Sequence, residues 1–144
     1  MIRLTELAPS VTAPFDEPTL QRLAPLLGPA GLDFEIDFLE KARRREPDSA
    51  PVLEALGHAY TRRGRLDEGL EVDKRLARLK PEDPIVHYNL ACSYALVGSK
   101  EDGLDALGRA IELGYDDLEH LEKDKDLDAI RNDERFEELV KKIR

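Results

Sequence analysis

The sequence predicts an all-α fold built from antiparallel pairs of helices, and three observations carry that prediction. Charged residues make up 37% of the 144 residues, aromatic residues only 6%, and tryptophan is absent. Such a composition is typical of helices with one buried stripe and one solvated face. Apolar residues recur at intervals of three and four positions in several segments. Pro47 and Pro81 lie 34 positions apart and separate segments of similar pattern, which indicates an internal repeat.

Net charge and cysteine content indicate which binding partners and which cellular compartment to expect. The 31 acidic and 22 basic residues give a net charge of −9, which repels phosphate backbones and anionic lipid. We therefore expect neither nucleic acid nor a membrane as partner. Cys92 is the only cysteine, so no intramolecular disulfide can form. The segment from Met1 to Pro14 lacks the apolar run of a secretory signal, and we expect a cytoplasmic protein.

The N-terminal part is predicted to be irregular. Residues 1–15 form an extension that we expect to be partly disordered, and residues 16–49 a degenerate helix pair. The first helix of this pair, from Glu17 to Leu27, is interrupted by Pro25. The second helix runs from Asp33 to Arg45, with Asp33 as its N-terminal cap.

Residues 50–83 contain a more regular pair of helices. Leu53, Leu56 and Tyr60 fall on one stripe of a helix from about Ser49 to Arg63, so this stripe must be buried. A second stripe of leucines follows the short link at Gly64, which forces the two helices to pack antiparallel. Its members are Leu66, Leu70, Leu76 and Leu79. Pro81 and Pro84 then end this helix and begin the next.

Residues 84–117 repeat this pattern position by position. The first unit carries Leu53, Leu56, Gly57, Tyr60, Gly64, Gly69, Leu76 and Pro81, and the second carries His87, Leu90, Ala91, Tyr94, Gly98, Gly103, Ala110 and Tyr115. In these residues the chain resembles the tetratricopeptide repeat family. The resemblance implies a right-handed α-solenoid over residues 16–144. Asp73, at a position usually aromatic, and Leu76, at a position usually small, depart from the family pattern.

The C-terminal residues 118–144 are predicted to be capping helices. A last amphipathic helix runs from Asp133 to Lys142, with lysines at its carboxyl end, where the helix dipole favours cations. The segment from Asp124 to Phe136 resembles the cap that follows many bacterial arrays of this family, which implies a bacterial source.

Three groups of residues invite a chemical interpretation. Asp124, Asp126 and Asp128 imitate the first half of a calcium loop, but the required glycine and glutamate are missing, and capping is the alternative. The three histidines, His58, His87 and His120, are dispersed, so we expect no metal site. Cys92 with His58 would form a thiol and base without an orienting group, and an inert cysteine is the alternative.

No dinucleotide, phosphate-loop or esterase motif is present. We therefore expect no cofactor and no enzymatic activity.

The resemblance also implies a binding surface. In this family the first helices of successive repeats line a concave groove, which here would hold Glu54, His58, Thr61, Arg62, Ile85, Tyr88, Asn89, Cys92 and Leu96. Apolar anchors beside polar residues suit the recognition of a peptide or partner helix. Burial of this strip under a terminal helix is the alternative. Some chaperone-binding members grip a carboxylate with an asparagine like Asn89, but Glu54 would repel it.

The leading hypothesis is a non-catalytic adaptor that binds a segment of another protein in this groove. The alternatives are a homo-oligomeric structural protein and a regulatory subunit of an enzyme encoded elsewhere. Residues 41–80 contain 11 basic and 7 acidic side chains, whereas residues 81–128 contain 4 basic and 13 acidic ones. This asymmetry could promote weak head-to-tail self-association.

Overall fold

The computed structural model describes Arg22 and residues 28–144, which form helices and turns without strands. The all-α prediction is therefore confirmed for this part of the chain. The chain divides into two compact units, residues 1–64 and 65–144, which are described separately. No helix within the described residues is long and apolar enough to cross a membrane.

The first unit contains helices α1 (Pro29–Arg45) and α2 (Ala50–Arg63), which pack against each other. Its buried apolar side chains include Ile36 and Leu39 on α1 and Leu53, Leu56 and Tyr60 on α2. The stripe predicted for the helix beginning near Ser49 is thus buried as expected. The predicted extension 1–15 lies outside the described residues, and so does the predicted first helix apart from Arg22.

The predicted start of α1 at Asp33 is wrong, because the helix begins four residues earlier. Gly28 adopts a left-handed φ of 64° at the N-cap, and Pro29 occupies the first turn, where the fixed φ of proline suits a helix. Asp33 therefore lies inside the helix instead of capping it. Its carboxylate accepts a hydrogen bond from Arg63 at 2.8 Å, which ties α1 to α2.

The second unit contains α3 (Leu66–Leu79), α4 (Pro84–Leu96), α5 (Lys100–Glu112), α6 (Leu118–Lys123), a short 3-10 helix (Lys125–Leu127) and α7 (Glu134–Lys141). Helix α4 packs against α3, α5 and the 3-10 helix, and α5 also packs against α7. One apolar core joins these elements. Leu104, Leu107, Leu121, Leu127 and Ile130 are completely buried in it.

Element boundaries recur at the spacing of the sequence repeat. Helices α2 and α4 begin at positions 50 and 84, and α3 and α5 begin at positions 66 and 100, so each start recurs 34 positions later. The glycines after α2 and α4 recur at the same spacing. Gly64 has a φ of 83° and Gly98 a φ of 85°, a left-handed conformation that favours glycine.

The capping segment is less regular than predicted. Between Leu118 and Arg131 the chain forms a six-residue helix, a 3-10 helix and turns. Aspartate side chains cause these breaks because they accept hydrogen bonds from nearby backbone N–H groups. Asp117 accepts from His120 N, and Asp124 accepts from Asp126 N, both at 3.0 Å. The final helix α7 agrees with the prediction to within one residue at each end.

Candidate functional site

Helix α4 is the central helix of the second unit, as both its position and its composition indicate. It contains no Asp, Glu, Lys or Arg, and seven of its residues are buried: Val86, Tyr88, Leu90, Ala91, Cys92, Ser93 and Ala95. Asp83 caps it by accepting hydrogen bonds from Ile85 N at 2.9 Å and Val86 N at 3.4 Å. Because several elements pack around α4, few of its side chains reach solvent.

Tyr88 lies at the centre of a polar cluster between α4 and the capping segment. Its hydroxyl donates to Asp124 Oδ2 at 2.6 Å. Its ring stacks on Tyr115, with centroids 4.3 Å apart and planes 8° from parallel, and the His120 ring lies 5.6 Å away. Burial and the hydrogen bond to Asp124 raise the pKa of the Tyr88 phenol well above its usual value.

The prediction that Tyr88 is exposed in a groove is wrong, since only 4% of this residue is accessible. Tyr88 and Cys92 are buried as in the alternative weighed from the sequence, but Tyr115 and the turn at Asp124 cover them, not a terminal helix. The cause is the fold of the capping segment, which brings Tyr115 and Asp124 onto α4.

Cys92 belongs to the same cluster. It is 7% exposed, and its thiol donates to Asp124 Oδ2 at 3.7 Å. Burial raises the pKa of the thiol far above its usual value, and the carboxylates of Asp124 and Asp126 raise it further. The thiol is therefore protonated at neutral pH, so its environment opposes the thiolate that a nucleophilic cysteine needs.

Asp124 connects the elements of the cluster. Besides accepting from Tyr88, its carboxylate accepts from Asp126 N, and His120 Nε2 lies 3.3 Å from Oδ2. Arg131 donates to the carbonyl oxygens of Leu121 and Asp124, which holds the turn in place. Of the two interpretations of the aspartate run, capping is confirmed for Asp124.

Other α4 positions from the predicted groove reach solvent to different degrees. Ile85 is 54% exposed and is one of two strongly exposed large apolar residues in the described chain, the other being Phe34 on α1. Asn89 and Leu96 are half-buried. An apolar anchor beside an amide is thus available on this face of α4.

The predicted groove residues of the first unit have individual roles on α2. His58 is exposed, while Glu54 and Thr61 are half-buried, and the Thr61 hydroxyl donates to Gly57 O at 2.9 Å. Arg62 donates to the Glu35 carboxylate at 3.0 Å. Glu35 is only 2% exposed, so Arg62 supplies the counter-charge for a buried carboxylate of α1.

Three residues that make contacts with these candidate positions were missed from the sequence. Glu35 is the partner of Arg62, Tyr115 stacks on Tyr88, and Asp73 is buried and accepts a hydrogen bond from Ser93. Two of these residues had a visible signal: Asp73 departs from the family pattern, and Tyr115 stands where the first unit has Pro81. Departures from a packing pattern mark positions where a different contact replaces the usual one.

Comparison with known proteins finds a partial sequence similarity to one plant protein. No protein-family model matches it. It is 28% identical over 110 residues to a protein of Arabidopsis thaliana that is named as chloroplastic. The match covers 74% of this chain and 32% of that protein, so the chain spans about a third of the length of its relative. This plant relative does not support the bacterial source that the sequence analysis expected.

Proposed function

We propose that the chain is a helical-repeat scaffold of the tetratricopeptide type that binds a segment of another protein. The observation that carries this proposal is the recurrence of helix starts and left-handed glycines at a spacing of 34 positions. A helix–turn–helix unit of about 34 residues is the signature of this repeat. Repeats of this kind offer extended surfaces for binding.

The arrangement proposed for the helices is a series of antiparallel pairs. Helices α1 and α2 pack against each other across the short loop 46–49, and α4 and α5 across the loop 97–99. Loops of three or four residues leave consecutive packed helices little choice but to run in opposite directions. The right-handed solenoid implied by the family resemblance remains a prediction.

The binding role is assigned to the solvent-facing part of the predicted groove. On α4 this part consists of Ile85 as the apolar anchor, with Asn89 about one turn further along the helix and Leu96 at its end. The predicted groove residues His58, Glu54 and Thr61 lie on α2 in the other compact unit, and no part of the binding role is assigned to them here. Tyr88 and Cys92 are buried against Asp124, and Arg62 pairs with Glu35 of α1, so these three residues are not assigned to the binding surface. Interfaces commonly combine an apolar anchor with polar neighbours in this way.

Catalysis has no place in this proposal. The Cys92 thiol is held in its protonated form, and the scaffold offers its shape and surface to a partner. The expected cytoplasmic location stays a prediction, since the relative is named as a chloroplastic protein.

Affinity capture with matched variants tests the proposal. Tagged protein is used to capture partners from the native cell, and bound proteins are quantified by mass spectrometry for the wild type, Ile85→Asp and Phe34→Asp. Both substitutions place a charge at a strongly exposed apolar position. Loss of a central anchor costs about 2 kcal/mol or more, so Ile85→Asp should reduce capture of the partner by at least about tenfold. Phe34→Asp, which lies outside the predicted groove, should capture as the wild type does.

Two outcomes would count against the binding role of α4. One is equal capture by the wild type and Ile85→Asp. The other is the recovery of nothing but a second copy of this chain, which would favour the homo-oligomeric alternative.

A further inference from the structure

We propose that the partner segment bound by helix α4 is basic, and that the carboxylate of Asp126 pairs with one of its lysine or arginine side chains. This assignment rests on the scaffold function proposed above and names the chemistry of the partner. Three features of Asp126 support it: its position beside the solvent-facing side of α4, the charge around it, and the absence of a cation paired with it among the described residues.

The side of α4 that reaches solvent carries no charge of its own. Ile85, Asn89, Cys92 and Leu96 follow one another at intervals of three and four positions, so they lie along one side of the helix. Ile85 is exposed, Asn89 and Leu96 are half-buried, and Cys92 is buried. A segment lying along this side meets apolar and amide groups on α4 itself. Any preference for charge must come from a neighbouring element.

Asp126 brings a negative charge to this side of α4. Its carboxylate lies within 4.8 Å of Cys92 Sγ, and Cys92 stands between Asn89 and Leu96 along the helix. Asp124 lies equally close, but its carboxylate already accepts hydrogen bonds from within the chain. Asp126 is half-buried at the edge of the same strip. A partner segment on α4 would therefore pass next to this carboxylate.

Asp126 differs from other carboxylates of the capping segment in its pairing. Three of them form ion pairs: Glu119 with Lys123, Glu122 with Arg144, and Asp128 with Arg131. No such pair joins Asp126 to a lysine or arginine within residues 28–144. Its charge is therefore available to a cation from outside the chain.

The electrostatic surroundings of Asp126 favour such a cation. Burial raises the pKa of its carboxyl group, the charges of Asp124 and Asp128 raise it further, and His120 opposes this shift. The ionised carboxylate is thus less stable here than in water. From Asp116 to Asp128 the chain carries seven acidic and two basic side chains, a field that steers cationic segments towards α4. A lysine or arginine of the partner would offset the charge of Asp126 and donate a charge-assisted hydrogen bond.

Peptide selection tests this proposal without presupposing a charge. Random peptides displayed on phage are selected on the immobilised full chain, and the selected sequences are synthesised and their affinities measured by fluorescence anisotropy. We expect lysine or arginine to be enriched beside apolar residues, and the affinity to fall as salt is added. Ile85→Ser should weaken the binding of these peptides because the apolar anchor is lost.

Matched charge variants assign the preference to one carboxylate. Asp126→Asn should weaken binding of the selected peptides by about fivefold, near the upper end for a solvent-accessible ion pair. Glu134→Gln is the control, since it removes an equal charge from α7, which packs against α5, and should bind as the wild type does. Asp126→Lys should regain affinity for a peptide in which glutamate replaces the basic residue. Circular dichroism checks that each variant is folded.

Different outcomes would contradict the basic partner and the scaffold function. Peptides that depend on Ile85 but carry no basic residue would overturn the basic partner alone, and so would equal affinities of folded Asp126→Asn and Glu134→Gln. In both cases the scaffold function stands. If no peptide is selected, or if Ile85→Ser binds the peptides as tightly as the wild type, α4 is not a binding surface and both proposals fail.

Discussion

At the scale of single residues, Tyr88 contributes more to the fold than to a surface. Its hydroxyl donates to a carboxylate, a class of hydrogen bond that contributes about 1.5–3 kcal/mol. Its stacking on Tyr115 adds about 0.5–1.5 kcal/mol beyond the area that both rings bury. Both contacts join α4 to the segment that follows α5. Tyr88 therefore holds the capping segment in place.

Substitution of Tyr88 should reveal this role in the free energy of unfolding. We expect Tyr88→Phe to lower it by about 1–3 kcal/mol, because Asp124 loses a charged hydrogen bond. Tyr88→Ala should lower it by about 3–5 kcal/mol, because the ring leaves a cavity as well. Urea unfolding followed by circular dichroism measures both changes. Tyr94→Phe, at a half-buried ring 5.8 Å from Lys74 Nζ, is the control and should change little. An unchanged Tyr88→Phe would show that the contact to Asp124 is dispensable.

For single residues, the sequence predicts which side of a helix a side chain lies on better than it predicts how exposed that side chain is. The helical period placed Leu53, Leu56 and Tyr60 correctly on a buried stripe. It could not foresee the burial of Tyr88, because the carboxylate that covers its hydroxyl comes 36 residues later. The pairing of Arg62 with Glu35, 27 residues earlier, was hidden for the same reason. Such contacts depend on the tertiary fold, which brings residues that are distant in the sequence together.

At the scale of secondary-structure elements, the approach of α4 to α5 depends on Gly103. A Cβ atom at this position would lie 3.4 Å from Ala91 O, 3.5 Å from Ala95 N and 3.6 Å from Tyr94 Cβ. One methyl group would therefore touch α4 without serious overlap, whereas a longer side chain would have no room. The equivalent Gly69 on α3 is also buried, 34 positions earlier. Small residues at this position let neighbouring helices come close.

Two substitutions of Gly103 should separate these effects. Gly103→Ala should be neutral or stabilising by up to about 1 kcal/mol, because alanine favours helices and its methyl group fits. Gly103→Leu should destabilise the chain by about 1–3 kcal/mol through overpacking against α4. Thermal unfolding of both variants measures the difference. If Gly103→Leu melts at the temperature of Gly103→Ala, the close approach of α4 and α5 is wrong.

Element boundaries follow from the sequence where local signals agree. Helix α2 begins one residue after the predicted Ser49. Helix α3 begins after Gly64 and ends before Pro81, and α4 begins at Pro84, as predicted. The start of α1 was misplaced because Asp33 has the side chain of an N-terminal cap, whereas Pro29 in the first turn begins the helix four residues earlier. The breaks in the capping segment depend on which aspartates turn back to the backbone, a choice that periodicity does not encode.

At the scale of the whole molecule, a helix–turn–helix pattern of 34 residues occurs twice in succession. The recurrence after 34 positions covers helix starts, left-handed glycines and the buried glycines Gly69 and Gly103. This regularity could be predicted because a repeat imposes the same local physics on each copy. The polar cluster around Asp124 could not, because it lies where the repeat ends and a unique segment covers α4.

Site-specific photo-crosslinking tests the scaffold proposal most directly. A photoreactive residue is placed at Ile85 in one variant and at Phe34 in another, since both positions are strongly exposed. We predict that the Ile85 probe crosslinks one segment of one partner protein in the native cell, and that the Phe34 probe does not crosslink that segment. Mass spectrometry identifies the crosslinked peptides. If the Ile85 probe yields no partner, or the same peptides as the Phe34 probe, the exposed face of α4 is not the binding surface and the account fails.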